Sequence, residues 1–177
     1  MKSTLVVFIL CVTAAAQNAP SPSAAPFAED GKSIDSIIHA MYDVISGPAG
    51  AARNWARFHA LFFSQATLAT VIHKNGEIRC AVMTPDDYVH GATPYFQQHA
   101  FYESEVARQT ERFGNVAHVF TTYASRRDPK GEPFERGINS VELLYDGSRW
   151  WILTISWDSE RPDNPIPSEY LKSGASQ

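Results

Sequence analysis

Residues 136–155 read RGINSVELLYDGSRWWILTI and predict a β-hairpin at the centre of the fold. The Asp146-Gly147 pair separates two apolar runs and predicts a two-residue type I′ turn, because Asp and Gly tolerate positive φ angles best. The second arm, from Trp150 to Trp157, is rich in aromatic and β-branched residues and carries no charge on either face. We therefore expect one face of this strand to be covered by helices and the other by more sheet or a second subunit.

The first residues of the chain have the pattern of a targeting segment. Lys2 precedes the apolar run Leu5–Val12, and Ala14–Ala16 supplies small residues for cleavage, so residues 1–16 predict a signal peptide. The run is shorter than the roughly 20 apolar residues of a spanning helix. We expect a periplasmic or secreted protein that leaves the membrane after cleavage. Composition divides the rest into a disordered Ala/Pro/Ser-rich leader, one folded domain and a disordered tail, over residues 17–32, 33–171 and 172–177.

Charge and cysteine content exclude several kinds of partner. The formal net charge is −4, and it becomes −5 once Lys2 is removed, which argues against binding to nucleic acid or to an anionic membrane. Cys11 leaves with the signal peptide, so Cys80 has no intrachain disulfide partner. The six His residues lack the spacing of metal ligands, and no phosphate-binding glycine loop is present. We therefore predict neither a metal nor a cofactor.

Hydrophobic periodicity predicts helices followed by a sheet. Ser33 caps a helix whose apolar residues recur every three or four positions from Ile34 to Ile45, and a second helix is predicted over residues 51–63. Asn75-Gly76 predicts a hairpin turn, and a Thr84-capped helix should bend or restart near Gly91–Pro94. Four long strands follow, over residues 103–112, 116–126, 137–145 and 150–158. This order predicts an α+β fold in which a curved antiparallel β-sheet is wrapped around N-terminal helices as a cone-shaped barrel.

Three blocks carry a resemblance to a known family. They read ERFGNVAHVFTTYASR, RGINSVELLYDGSRWWI and WDSERPDNPIP. With the order of elements, they resemble the nuclear transport factor 2-like superfamily, whose cone fold also contains ketosteroid isomerase, scytalone dehydratase and SnoaL-like cyclases. The resemblance covers about residues 34–171. It implies the fold and a homodimer formed through the convex face of the sheet, whereas it implies no reaction, because this fold hosts enzymes, binders and dimerisation modules.

Two residues are candidate catalytic groups. His118 lies in the middle of a predicted strand and would act as a general base near neutral pH if its imidazole faced a cavity. The alternative is a hydrogen-bonded His packed on the sheet. Asp158 ends the Trp-rich strand on the same predicted face as Trp150 and Ile152, where desolvation would raise its pKa. The alternative for Asp158 is an ion pair with Arg161.

Aromatic residues supply the candidate ligand contacts. We predict that a subset of them lines a pocket for a small hydrophobic molecule, the set being Trp55, Phe58, Tyr88, Tyr95, Phe96, Tyr123 and Trp157. The predicted function is an exported small-molecule-binding domain without an assignable reaction. One alternative is a cofactor-free lyase or isomerase acting on a small hydrophobic carbonyl or hydroxyl compound. A second is a dimerisation or interaction module whose cavity is filled by its own side chains.

Overall fold

The computed structural model describes residues 26–172, with three α-helices, six β-strands and two short 3-10 turns in that range. The signal peptide predicted for residues 1–16 lies outside the described residues. No helix within 26–172 is long and apolar enough to cross a membrane. The helices and strands are α1 (Ile34–Ile45), α2 (Trp55–His59), β1 (Phe62–Lys74), β2 (Glu77–Met83), α3 (Pro85–Gln98), β3 (Tyr102–Phe113), β4 (Val116–Arg126), β5 (Glu135–Tyr145) and β6 (Trp150–Ser159).

Helix α1 forms where the sequence predicts it and provides the centre of the core. A capping box holds its start, because the Ser33 side chain accepts from the Ser36 N–H and the Ser36 hydroxyl returns a contact to Ser33. Its apolar face is buried, with Ile37 and Ile38 fully enclosed. This face packs against one surface of the sheet, which we call the concave face.

The six strands form one curved, unclosed sheet in the order β2-β1-β6-β5-β4-β3. The α+β class and the sheet wrapped around α1 are confirmed. Four of the five pairings are antiparallel, but β1 and β6 run parallel, so the sheet is not wholly antiparallel. The four antiparallel pairs join strands that are consecutive in the sequence, whose short connections force the chain to reverse. β1 and β6 are distant in sequence, so no turn dictates their relative direction.

The two predicted hairpin turns have different outcomes. Asn75 and Gly76 both have positive φ, 55° and 79°, and they connect β1 directly to β2, as predicted. The Asp146-Gly147 turn is a four-residue loop instead, because Tyr145 pairs with Trp150. The Asp146 carboxylate accepts from the backbone N–H groups of Ser148 and Arg149, which closes this longer loop without positive φ at Asp146.

The helices after α1 differ from the predicted ones in length. α2 has only five residues, since Phe62 pairs with Ile152 and the chain from there on belongs to the sheet. α3 continues through Pro94 as one helix rather than restarting, and its start has the predicted cap between Thr84 and Asp87.

Two segments lie at the ends of the described chain. Residues 28–31 form a 3-10 turn inside the region predicted as a disordered leader, and Arg57 holds this turn through two hydrogen bonds to Asp30 at 2.7 and 2.9 Å. Residues 168–171 form a second 3-10 turn on the convex face, where the Tyr170 ring meets Phe120. Both contacts extend the packed structure beyond the sheet and helices.

Two β-bulges set which side chains face α1. In β6, Leu143 pairs with Ile152 while Glu142 pairs with Thr154, so Leu153 is an extra residue without a partner. In β3, Glu105 pairs with Tyr123 while Ala107 pairs with Thr122, so Val106 is extra. Each bulge exchanges the inward and outward side chains of the strand beyond it.

Candidate functional site

A cavity of about 140 Å³ lies between α1, α3 and the concave face of the sheet. Most of its wall is apolar and comes from residues such as Met41, Ile45, Phe58, Leu68 and Ile155. Side chains with polar groups also reach it, namely Tyr88, Glu103, Tyr123, Glu135 and Asn139. Glu135 is exposed, so the cavity meets solvent on its side. The site is thus an apolar chamber with polar groups concentrated on β3, β4 and β5.

Glu103 is the carboxylate that faces this chamber from β3. The Val106 bulge aligns Glu103 with Ser125 of β4, and the Ser125 hydroxyl donates to Glu103 Oε2 at 2.7 Å. The pKa of Glu103 is raised to about 7, chiefly by burial and also by the nearby carboxylate of Glu135. The hydrogen bonds from Ser125 and Asn139 oppose this shift. Glu103 therefore changes its protonation state near neutral pH.

Tyr123 and Gly137 shape the wall beside Glu103. The two residues pair across β4 and β5, and a Cβ added at Gly137 would lie 2.5 Å from the Tyr123 hydroxyl and would also contact the Asp158 carbonyl oxygen. Only a residue without a side chain leaves room for the Tyr123 ring. The Tyr123 hydroxyl donates to Glu135 Oε1 at 3.0 Å, and burial raises its pKa. Tyr123 therefore stays a neutral hydrogen-bonding group.

A chain of hydrogen bonds runs along the concave face behind the cavity. The Asn139 amide donates to the Tyr42 hydroxyl at 3.1 Å, and the Thr121 hydroxyl donates to Glu105 Oε1 at 2.7 Å. Because Thr121 has already used its only proton, the 2.9 Å contact between Tyr42 and Thr121 must have Tyr42 as donor. The chain is therefore directional and ends on a carboxylate, which fixes the orientation of Asn139 at the cavity.

Four of the seven predicted ligand-contacting aromatics line the cavity, namely Phe58, Tyr88, Tyr123 and Trp157. The other three lie outside it. Trp55 stacks on Phe96 with ring centroids 6.1 Å apart, and the Phe96 ring also packs under the Arg53 guanidinium. Tyr95 is exposed on the outer side of α3, beside His99 and Arg127. Phe101, which was not among the predicted ligand contacts, also lines the cavity.

Asp158 lies on the convex face, opposite the face predicted for it. The Leu153 bulge shifts the strand by one residue, so Ile155 and Trp157 line the cavity and Asp158 points away from it. Arg161 donates to its carboxylate at 2.6 Å, and this contact holds the pKa of Asp158 below its ordinary value. The expected rise in pKa does not occur, and the alternative ion pair with Arg161 is present.

His118 also lies on the convex face of the sheet. Its Nδ1 is 2.6 Å from Glu142 Oε1 on the neighbouring strand, and its ring stacks with Phe120. The structure therefore brings neither His118 nor Asp158 to the cavity, and their places there are taken by Glu103, Glu135 and Asn139.

Within residues 26–172, no three His, Cys, Asp or Glu side chains are grouped so that they could hold a metal ion.

Comparison with known proteins supports the fold and leaves the reaction open. No family model and no curated protein matches this chain by sequence. One similar structure is a nuclear transport factor 2-like protein of unknown function from Silicibacter pomeroyi, with 12% identity, a TM-score of 0.47, and coverage of 71% of this chain and 92% of that chain.

Two further structures superpose better, and both are proteins of unknown function. The first, from Nostoc punctiforme, has a cystatin-like fold, with 9% identity, a TM-score of 0.55, and coverage of 76% of this chain and 92% of that chain. The second, from Mycobacterium tuberculosis, has 11% identity, a TM-score of 0.54, and coverage of 77% and 80%. Identities this low show the fold alone. The chain therefore shares the fold of these two proteins, with a curved sheet wrapped around an N-terminal helix, which is the α+β cone predicted from its sequence.

Proposed function

We propose that this chain binds a small, largely apolar molecule in the cavity between α1, α3 and the sheet. The observation that carries the proposal is an apolar chamber of about 140 Å³ with a few polar groups on one side. Binding sites for small molecules have this composition. An apolar protein cavity of roughly 150 Å³ accepts benzene, so we infer a ligand with about six to eight non-hydrogen atoms. A steroid-sized compound would not fit, because pockets for drug-sized ligands have roughly 300–1,000 Å³.

Filling part of the cavity should weaken the binding of a neutral probe. Leu68 lines the chamber and is 3% exposed, so the ring introduced by Leu68→Phe would occupy ligand space. We expect this variant to bind cyclohexanol at least about tenfold more weakly than the wild-type protein, since the volume lost is that of several ligand atoms. An NMR titration at pH 6 that follows the Trp157 indole N–H would measure the affinities.

Leu153→Phe is the matched control, because Leu153 is the bulged residue of β6 and does not line the cavity. Binding by this control should equal that of the wild-type protein. The proposal fails if Leu68→Phe is folded and binds cyclohexanol as tightly as the wild-type protein.

A second candidate function, a cofactor-free lyase or isomerase, is favoured by the pKa of Glu103. A carboxylate with a pKa of about 7 inside an apolar cavity has the basicity of a general base at neutral pH. The Tyr123 hydroxyl lies at the same cavity, and it would polarise a substrate oxygen by turning its proton from Glu135 to the substrate. Glu103 thus replaces Asp158 and His118 as the candidate base.

Proton exchange on a small ketone tests this second function. In deuterium oxide at pH 8, the wild-type protein should exchange the α-protons of cyclohexanone about 100-fold faster than Glu103→Gln, which lacks the base. Asp158→Asn should exchange at the wild-type rate, because Asp158 lies on the opposite face of the sheet. Equal rates for the wild-type protein and Glu103→Gln, measured by NMR, would rule out Glu103 as a base.

Two predicted properties remain predictions. Export depends on the predicted signal peptide, which lies outside the described residues. The predicted homodimer would use the convex face, whose half-buried apolar residues include Ile138, Leu144 and Trp151. The 3-10 turn over residues 168–171 covers the β3–β4 side of this face, so the open area lies nearer β5 and β6.

A module with a filled cavity is the least favoured function, because about 140 Å³ is unoccupied by the chain's own side chains.

A further inference from the structure

The charged side chains that line the cavity are all acidic. Glu103 and Glu135 both line it, and none of its described lining residues is Lys, Arg or His. The buried Arg53, on the loop after α1, donates to the backbone carbonyls of Ile45 and Gly47, and its charge also acts on Tyr88 of the cavity wall. The titratable groups near Glu103 on the packed elements are acidic or neutral, namely Tyr42 of α1, Tyr88 of α3, Glu105 of β3, Tyr123 of β4 and Glu135 of β5. Of these, Glu105 is already paired with Arg108 at 3.1 Å.

The walls are also suited to a positive charge. Five aromatic side chains line the cavity, namely Phe58, Tyr88, Phe101, Tyr123 and Trp157. The faces of such rings attract cations, most strongly where water is excluded. The apolar side chains of Met41, Ile45 and Leu68 complete the wall and favour a ligand that also has a hydrocarbon body.

We propose that the ligand of this cavity is a small organic ammonium ion, a primary or methylated amine on a compact hydrocarbon body, whose charge pairs with Glu103. This inference rests on the proposed binding function and specifies its ligand class. The apolar part would contact the side chains from α1 and β1, and the ammonium group would lie among the aromatic rings between the two carboxylates. Without such a ligand, Glu103 has two groups that stabilise its negative charge, Ser125 and Asn139, and no cation among the lining residues.

Two nearly isosteric probes separate the effect of the ligand's charge on affinity from the effect of its shape. At pH 8, the wild-type protein should bind cyclohexylammonium at least about tenfold more tightly than cyclohexanol, because only the first compound gains the carboxylate and aromatic contacts. Glu103→Gln keeps the shape of the side chain without its charge, so this preference should disappear. Glu111 is exposed near the other end of β3, so Glu111→Gln removes one negative charge away from the cavity. This control should keep the preference for cyclohexylammonium. Isothermal titration calorimetry would measure each affinity.

The pH dependence gives a second readout that needs no variant. Cyclohexylammonium stays charged between pH 6 and 8, whereas Glu103 ionises over this interval. The affinity of the wild-type protein for cyclohexylammonium should therefore rise about tenfold from pH 6 to pH 8, as the ionised fraction of a group with a pKa of about 7 does. The affinity for cyclohexanol should not rise.

The outcomes distinguish the proposed ammonium ligand from the proposed binding function on which it rests. If cyclohexanol binds at least as tightly as cyclohexylammonium at pH 8, or if the ammonium affinity is the same at pH 6 and 8, the ammonium ligand is ruled out and the binding cavity stands. If neither probe binds at millimolar concentration, both proposals are overturned. A preference for the ammonium that Glu103→Gln removes and Glu111→Gln keeps supports both.

Discussion

Replacing Arg53 with Met is expected to lower the free energy of unfolding by about 4 kcal/mol, because the buried guanidinium satisfies several backbone carbonyls at once. Arg53 is 8% exposed and follows α1 on a loop. It also packs over the Phe96 ring at 4.9 Å from the centroid. The carbonyl oxygens that accept from it belong to Ile45 (2.8 Å), Gly47 (2.8 Å), Pro48 (3.2 Å) and Ala51 (2.8 Å).

Methionine fills a similar volume but donates no hydrogen bond, so these carbonyls would be left without their charged donor in a largely dry environment. Urea denaturation at pH 7 would measure the change. Arg79→Met is the matched control, since Arg79 is exposed on β2 and contacts only Glu77 nearby, and we expect a change within about 0.5 kcal/mol for it. A loss below about 1 kcal/mol in Arg53→Met would show that water replaces the guanidinium and that the loop does not depend on it.

Glu103→Gln is expected to stabilise the protein at alkaline pH. The folded-state pKa of Glu103, about 7, lies above the ordinary glutamate value of 4.5, so the native state binds the proton more tightly than the unfolded chain. The stabilisation from this proton is complete below pH 4.5 and is lost as the pH rises through 7. Gln resembles the protonated acid at every pH. The variant should therefore exceed the wild-type protein by about 3 kcal/mol in free energy of unfolding at pH 8, and by much less at pH 5.

Urea denaturation of both proteins at pH 5 and pH 8 would measure this difference. Glu111→Gln controls for the removal of one negative charge and should show no comparable pH dependence, because Glu111 is exposed. A gap between Glu103→Gln and the wild-type protein that is equal at the two pH values would mean that Glu103 titrates as an ordinary surface carboxyl.

The fold was predictable because its main signals are local. The apolar spacing of Ile34–Ile45, the Ser33 cap and the Asn75-Gly76 turn each depend on a few neighbouring residues, and all three occur as predicted. The parallel pairing of β1 with β6 was not predictable in this way. It joins strands that are distant in sequence, and no turn chemistry encodes their direction.

The site was only partly predictable, and two single residues explain why. If side chains alternated strictly along β6, Asp158 would lie on the same face as Trp150. If the pairing continued without a bulge from the β3–β4 turn, Glu103 would pair with Arg126 instead of Ser125. The extra residues Leu153 and Val106 reverse both assignments. A bulge depends on how the two strands pack, so a regular alternation pattern cannot reveal it.

The aromatic residues were partly predictable for a related reason. Apolar character alone marks a residue as buried, and it does not separate the cavity wall from the solid core. Phe58 and Tyr88 line the cavity, while Trp55 and Phe96 stack on each other beside it. Distinguishing the two pairs requires the position of α3 relative to the sheet, which is a tertiary property.

In the folded protein, a protonatable carboxyl group of Glu103 faces an apolar cavity. The most direct test is a pH titration of the Glu103 side-chain carboxyl carbon by ¹³C NMR, assigned by comparison with Glu103→Gln. A midpoint of about 7 is the predicted result. A midpoint near the ordinary glutamate value of 4.5 would contradict it, because the carboxyl group would then be solvated rather than enclosed.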